Sequence, residues 1–164
     1  MNTHLKAALC ALLVLTAAMT AIPRICAAQE KQDMGGWETN SPYNQLYSPV
    51  ERDEFKGVVS DIREVVPLSG MSPAVALVIL DSGSELITVH LGPRWFIDPG
   101  RMGIKKGDKV KIKGAWAEIN GEDIFMASKV KKGDYFEFKV RLTQDGTPFW
   151  TMTPEEFARE NAPR

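Results

Sequence analysis

From residue 55 onward, apolar and polar residues alternate in short runs, each ended by a turn dipeptide. That texture predicts a compact all-β domain. Residues 55–66 read as the first strand, with Gly57 inside it predicting a bend or bulge. Residues 67–73 start and end on proline and form a loop. Residues 74–80 are apolar without interruption, as expected of a strand buried on both faces at the centre of a sheet. Asp81-Ser82-Gly83-Ser84 turns the chain, and residues 85–91 return with Ile87, Val89 and Leu91 on one face. Leu86, Thr88 and His90 then point to the other face.

Residues 92–106 break the strand pattern. Their Trp95, Phe96, Ile97 and Met102 predict a plug, while Pro99-Gly100 and Gly103 limit any helix to about one turn. Lys109, Lys111 and Lys113 alternate with Val110 and Ile112 in a strand over 109–119. Asn120-Gly121 is a strong hairpin signal, and residues 123–130 return. Residues 135–142 alternate again, with Phe136, Phe138, Val140 and Leu142 facing in. Asp145-Gly146 turns the chain, and Pro148-Phe149-Trp150 is placed to close one end of a barrel. Thr153-Pro154-Glu155-Glu156 is a capping box that starts a helix of about two turns before Pro163. Three strands, a connector, a hairpin and a further strand give the order of an OB-fold. The expected fold is therefore an all-β, small OB-fold-like barrel of five to six strands, with a short connector after strand 3 and a short C-terminal helix. Closing such a barrel removes the edges that invite aggregation.

The N-terminus reads differently. Lys6 precedes the apolar or small residues 7–22, and Cys26-Ala27-Ala28 offers small residues where a signal peptidase cuts. A signal peptide over 1–28 is predicted, and with it a periplasmic or otherwise exported protein. The alternative is an uncleaved N-terminal anchor facing the periplasm. The run is shorter than the roughly 20 residues a membrane span needs, and Pro23-Arg24 ends it, so no span is expected after cleavage. Pro23-Arg24-Ile25 also lacks the small apolar character of a lipidation box before Cys26. Residues 29–53 are polar, with Gly35-Gly36, Pro42 and Pro49, and read as a flexible lead that Tyr43, Leu46 and Tyr47 dock in part. The barrel domain is expected over 54–151, and the helix and tail over 152–164.

Cleavage removes both cysteines, Cys10 and Cys26, and leaves His90 as the single histidine. Thiol catalysis, thiolate zinc sites and covalent haem attachment are then excluded, as is a histidine-pair metal motif. The remaining charge is slightly acidic, which gives no global attraction to nucleic acid or anionic membranes. His90 beside Ser84 or Ser128 is the one conceivable nucleophile pair, but no Gly-x-Ser-x-Gly elbow accompanies it. Asp81, Asp98, Asp108, Asp134 and Asp145 sit near glycines and read as turn-makers. Glu122-Asp123 at the hairpin tip is a hard-cation candidate only if further oxygens converge on it. Lys105, Lys106, Lys109, Lys111 and Lys113, with Lys129, Lys131 and Lys132 on the neighbouring strand, read as a solvated face or as an anion- or partner-binding patch.

Phe55-x-Gly57-Val58-Val59, then Val89-His90-Leu91-Gly92-Pro93-Arg94-Trp95-Phe96, carry a likeness that continues in Gly107-Asp108-x-Val-x-Ile-x-Gly114 and in Arg141-Leu142 through Asp145-Gly146-Thr147-Pro148-Phe149-Trp150. Over about residues 54–151 the chain resembles the small exported OB-like domain shared by magnetosome S- and X-type proteins and many periplasmic proteins. The resemblance implies no catalytic constellation, and it links the chain to iron biomineralisation or respiratory redox chains. X-type members add haem-attachment motifs, and this chain has none.

The expectation is a non-catalytic periplasmic binding or accessory module with no catalytic residue, no cofactor and no dedicated metal site. Its candidate surface comprises Thr88, His90, Arg94, Trp95, Lys109, Lys111 and Lys113. The expected partner is another periplasmic or membrane-associated protein rather than nucleic acid. Weak iron or anion binding through surface carboxylates and His90 is the alternative reading, and an unrecognised enzyme the third.

Overall fold

The computed structural model describes residues 33–162. The signal peptide expected over 1–28 lies outside them. Alternating side chains build six strands: β1 (Arg52–Val65), β2 (Ala74–Asp81), β3 (Leu86–Pro93), β4 (Lys109–Ile119), β5 (Glu122–Lys132) and β6 (Phe136–Lys139). Among the described residues one α-helix, α1 (Pro154–Glu160), seven residues long, follows them. The sheet order is β3-β2-β1-β4-β5-β6, and β3 also pairs with β5. The five strands β1-β2-β3-β5-β4 therefore form a ring, with β6 added along the outer edge of β5. The ring closes through one short parallel seam, Val89 against Phe125 and His90 against Met126. All the other strand pairs are antiparallel.

Local chemistry explains the corners. Asn120 and Gly121 both adopt positive φ, at 54° and 82°, as a tight hairpin turn between β4 and β5 requires. Thr153 accepts from the Glu156 amide while the Glu156 carboxylate accepts from the Thr153 amide, so both halves of the capping box are made. Asp81, Asp98, Asp108 and Asp145 each accept a nearby backbone N–H within 2.9 Å, the turn-making expected of them. The bulge expected near Gly57 falls instead at Ser60, between Val59 and Asp61.

The core fills the ring. Six consecutive β2 residues, Ala74 through Ile79, are buried, alongside Ile87, Val89, Leu91, Ile112, Phe125 and Val130. Part of the connector after β3 forms the expected plug, with Ile97, Met102 and Ile104 buried. Trp95 departs from that expectation and is 50% exposed.

The larger difference concerns the lead. Trp37 and Tyr43 are among the most deeply buried side chains of the molecule, and Tyr47 is buried beside them. Tyr43, Leu46 and Tyr47 dock as expected, and Trp37, which was not expected to, packs with them against the ring. Each aromatic removes roughly 150–250 Å² from water on docking, which outweighs the polar composition of the residues between them.

Candidate functional site

Of the candidate surface residues, the structure moves His90 furthest from expectation. It does lie on the face opposite Ile87, Val89 and Leu91, but the docked lead covers that face. His90 is only 5% exposed, its ring stacks on Tyr43 with centroids 6.0 Å apart, and its Nδ1 shares a 3.1 Å hydrogen bond with the Tyr43 hydroxyl. Burial pushes the imidazole from its ordinary 6.5 down to about 4, helped by the positive charges of Arg141 and Arg63. His90 is therefore a neutral interior residue and no part of an exposed surface. Neither serine joins it: the Ser128 hydroxyl bonds the Lys113 carbonyl at 3.0 Å and Thr143 at 2.8 Å, and Ser84 lies in an exposed turn.

The cluster around His90 contains residues that the sequence did not single out. Arg141 is 2% exposed and has no carboxylate partner among the described residues. It donates instead to the Asn44 side-chain oxygen at 2.8 Å and to the Gly146 carbonyl at 3.2 Å, and its guanidinium lies 4.6 Å from the Trp150 ring centroid. Such a desolvated cation–π contact is worth about 2 kcal/mol. Burial still lowers Arg141 to about 10, and it raises the Tyr43 phenol to about 12. Asn44 in turn donates to the Trp37 and Glu38 carbonyls, and the Trp150 indole donates to the Trp37 carbonyl at 2.9 Å. Gly92 makes room for this packing, because a Cβ there would come within 2.5 Å of Trp150. The network fastens the lead onto the ring, and no reactive group in it faces solvent.

Thr88, Arg94 and Trp95 remain at the surface. Arg63 on β1 donates to the Thr88 hydroxyl at 3.3 Å, and Arg94 donates to Glu64 at 2.8 Å. The half-exposed Trp95 follows directly. Arg94, its partner Glu64 and Trp95 thus form one surface strip at the connector, while the Arg63–Thr88 contact stands apart from it, since successive residues of β1 face opposite ways.

The lysines occupy another face. Strand register sets Lys56, Lys111, Lys131 and Glu137 in one row across β1, β4, β5 and β6, and Glu54, Lys113, Lys129 and Lys139 in the next. Lys111 and Lys113 share Glu54, at 2.5 and 2.6 Å. Their hydrogen bonds hold its carboxyl down to about 2. Lys129, Lys131 and Lys139 all share Glu137, at 3.6, 2.9 and 3.7 Å. Lys132 leaves this face to bond the Gly103 carbonyl and Asp108, pinning the connector to β5. Among the described residues no three histidine, cysteine or acidic side chains converge as metal ligands, Glu122 and Asp123 included. No helix among them is long and apolar enough to cross a membrane.

Comparisons with known proteins bear on the chain at the level of family. No curated protein shows significant similarity to the chain. Among solved structures, it is similar to a chain of a replication protein A heterotrimer bound to ssDNA, at 17% identity and a TM-score of 0.38. That likeness covers 52% of this chain and 60% of the other. The family model of the MamS/MamX magnetosome proteins matches residues 51–136, from the entrance of β1 to the start of β6, including the Val-His-Leu-Gly-Pro-Arg-Trp block and the lysine strand β4. With more than half of its length inside that match, the chain belongs to the MamS/MamX magnetosome protein family.

Proposed function

We propose that the chain is a non-catalytic binding or accessory module of OB type that works in the periplasm against a magnetosome- or respiratory-complex-associated protein. The ring order β1-β2-β3-β5-β4 supports the OB reading, since that architecture presents its second and third strands to ligands. Magnetosome family membership supports the choice of partner. The observation that carries the proposal is the surface strip at β3 and its connector, where Trp95 stays half exposed beside the Arg94–Glu64 pair. A solvent-facing tryptophan next to arginine is the combination that protein interfaces concentrate at their energetic centres.

A pull-down from a periplasmic fraction with the wild type and an Arg94→Ala/Trp95→Ala variant tests this surface. Loss of a partner from the variant lane supports it. Identical partner profiles remove it from consideration.

A further inference from the structure

The lysine face poses a physical problem. Lys56, Lys111 and Lys131 are direct cross-strand partners on three adjacent strands. Like charges placed directly opposite one another destabilise a sheet, with neighbouring strands only about 4.8 Å apart. The two rows hold six lysines and two glutamates, so the carboxylates cannot neutralise the face. Among the described residues, Lys56 and Lys109 make no ion pair at all. Lysines needed only for solubility gain nothing from such register.

An apolar groove opens at the end of the row. It has a volume of about 390 Å³, within the range of small-molecule sites. Lys56, Lys109, Lys111 and Lys131 line its rim, and Val58 and Leu80 lie between them. Leu80 is 40% exposed although the six β2 residues before it are buried. The acid in the groove, Asp81, is committed to the turn through the Gly83 and Glu85 amides.

From the lysine rows and the groove together, we infer that this face binds a small amphipathic organic anion. Its phosphate or carboxylate head meets the lysine row, and its apolar body lies on Val58 and Leu80. The head supplies the negative charge that Glu54 and Glu137 leave wanting. The body removes from water the apolar surface that the strand leaves exposed, at roughly 25 cal/mol per Å². This site is separate from the Trp95 strip and stands or falls without it.

Titration of the purified protein with dodecyl phosphate below its micelle concentration tests the inference, read by calorimetry. Inorganic phosphate, dodecyltrimethylammonium and phosphatidylglycerol vesicles serve as the comparison arms. Saturable binding of dodecyl phosphate is expected, with much weaker binding of inorganic phosphate and none of the cationic amphiphile. Lys56→Gln/Lys109→Gln is expected to weaken binding by about tenfold, corresponding to about 1.4 kcal/mol. Leu80→Asn is expected to weaken dodecyl phosphate but not inorganic phosphate. All three positions lie at the surface, so the variants keep the fold, and an unchanged unfolding midpoint confirms it. Equal affinity for dodecyl phosphate and inorganic phosphate would overturn the inference, as would binding to vesicles alone, equal binding of the cationic amphiphile, or binding unaffected by the variants.

Discussion

The buried arginine and the exposed lysine face hold positive charge on opposite principles. Arg141 is buried without a carboxylate; its two Nη groups donate to neutral oxygens, its guanidinium lies on an aromatic face, and its Nε has no hydrogen-bond partner among the described residues. The lysines of β4 and β5 are solvated and draw on two shared glutamates. The first arrangement fixes geometry, because a planar guanidinium meets its acceptors in few orientations. The second fixes little, since exposed ion pairs contribute about 0–1 kcal/mol each, and it leaves charge available to a ligand. One cationic region serves the fold, and the other is free to serve recognition.

Truncation should separate the two most sharply. Trp37→Ala removes a fully buried side chain from the arginine cluster and is expected to destabilise by about 3–5 kcal/mol in urea unfolding. A loss below about 1 kcal/mol would mean that the lead is not part of the cooperative unit.

Acid comes next. The unfolded chain protonates His90 near 6.5, whereas the folded protein resists until about 4. The unfolded state therefore binds more protons in that window, and stability falls as pH drops from 6.5 towards 4, by roughly 3 kcal/mol in all. Tyr43, Arg141 and Arg63 are the polar and charged groups that face it. A His90→Gln variant should show a flatter profile over the same range. Equal slopes would place the acid sensitivity elsewhere. Glu54, held down to about 2, acts in a lower window: its contribution is present above 4.5 and is lost as pH falls from there towards 2.

A steric test follows. Gly92→Ala drives a methyl into Trp150 and should destabilise by about 1–3 kcal/mol, measured as a lowered denaturant midpoint. The smallest effect belongs to the lysine face. Glu54→Gln should shift the midpoint slightly at low ionic strength, with the difference vanishing in added salt as screening shortens the range of the charges. A salt-independent shift would show that Glu54 packs rather than pairs.

How much of this was legible in the sequence depended on the range of each interaction. The Asn120-Gly121 hairpin, the Thr153 capping box, the aspartate turns and the unbroken β2 run are set by residues within a few positions of one another. They formed as read. The alternation of Lys109, Lys111 and Lys113 also gave the correct outward face of β4. Arg141 was read only as part of a family block, and its burial was missed because its acceptor Asn44 lies 97 residues away; Trp37 was missed because its carbonyl meets Trp150 across 113. Tyr43 and Tyr47 were read as docking residues, but the polar residues around Trp37 suggested solvent, and only tertiary contact shows it packed on Tyr43 and Trp150. For His90, periodicity gave the correct side of the strand, but it cannot reveal what another segment lays over that side.

The docked lead also sets an order of events. Trp37, Tyr43 and Asn44 precede every described strand, yet their partners His90, Arg141 and Trp150 come later in the chain. Contacts at such sequence separation form slowly, because long loops must close before they are rewarded. Full seating of this aromatic segment therefore requires the C-terminal part of the domain, since Arg141 and Trp150 hold it.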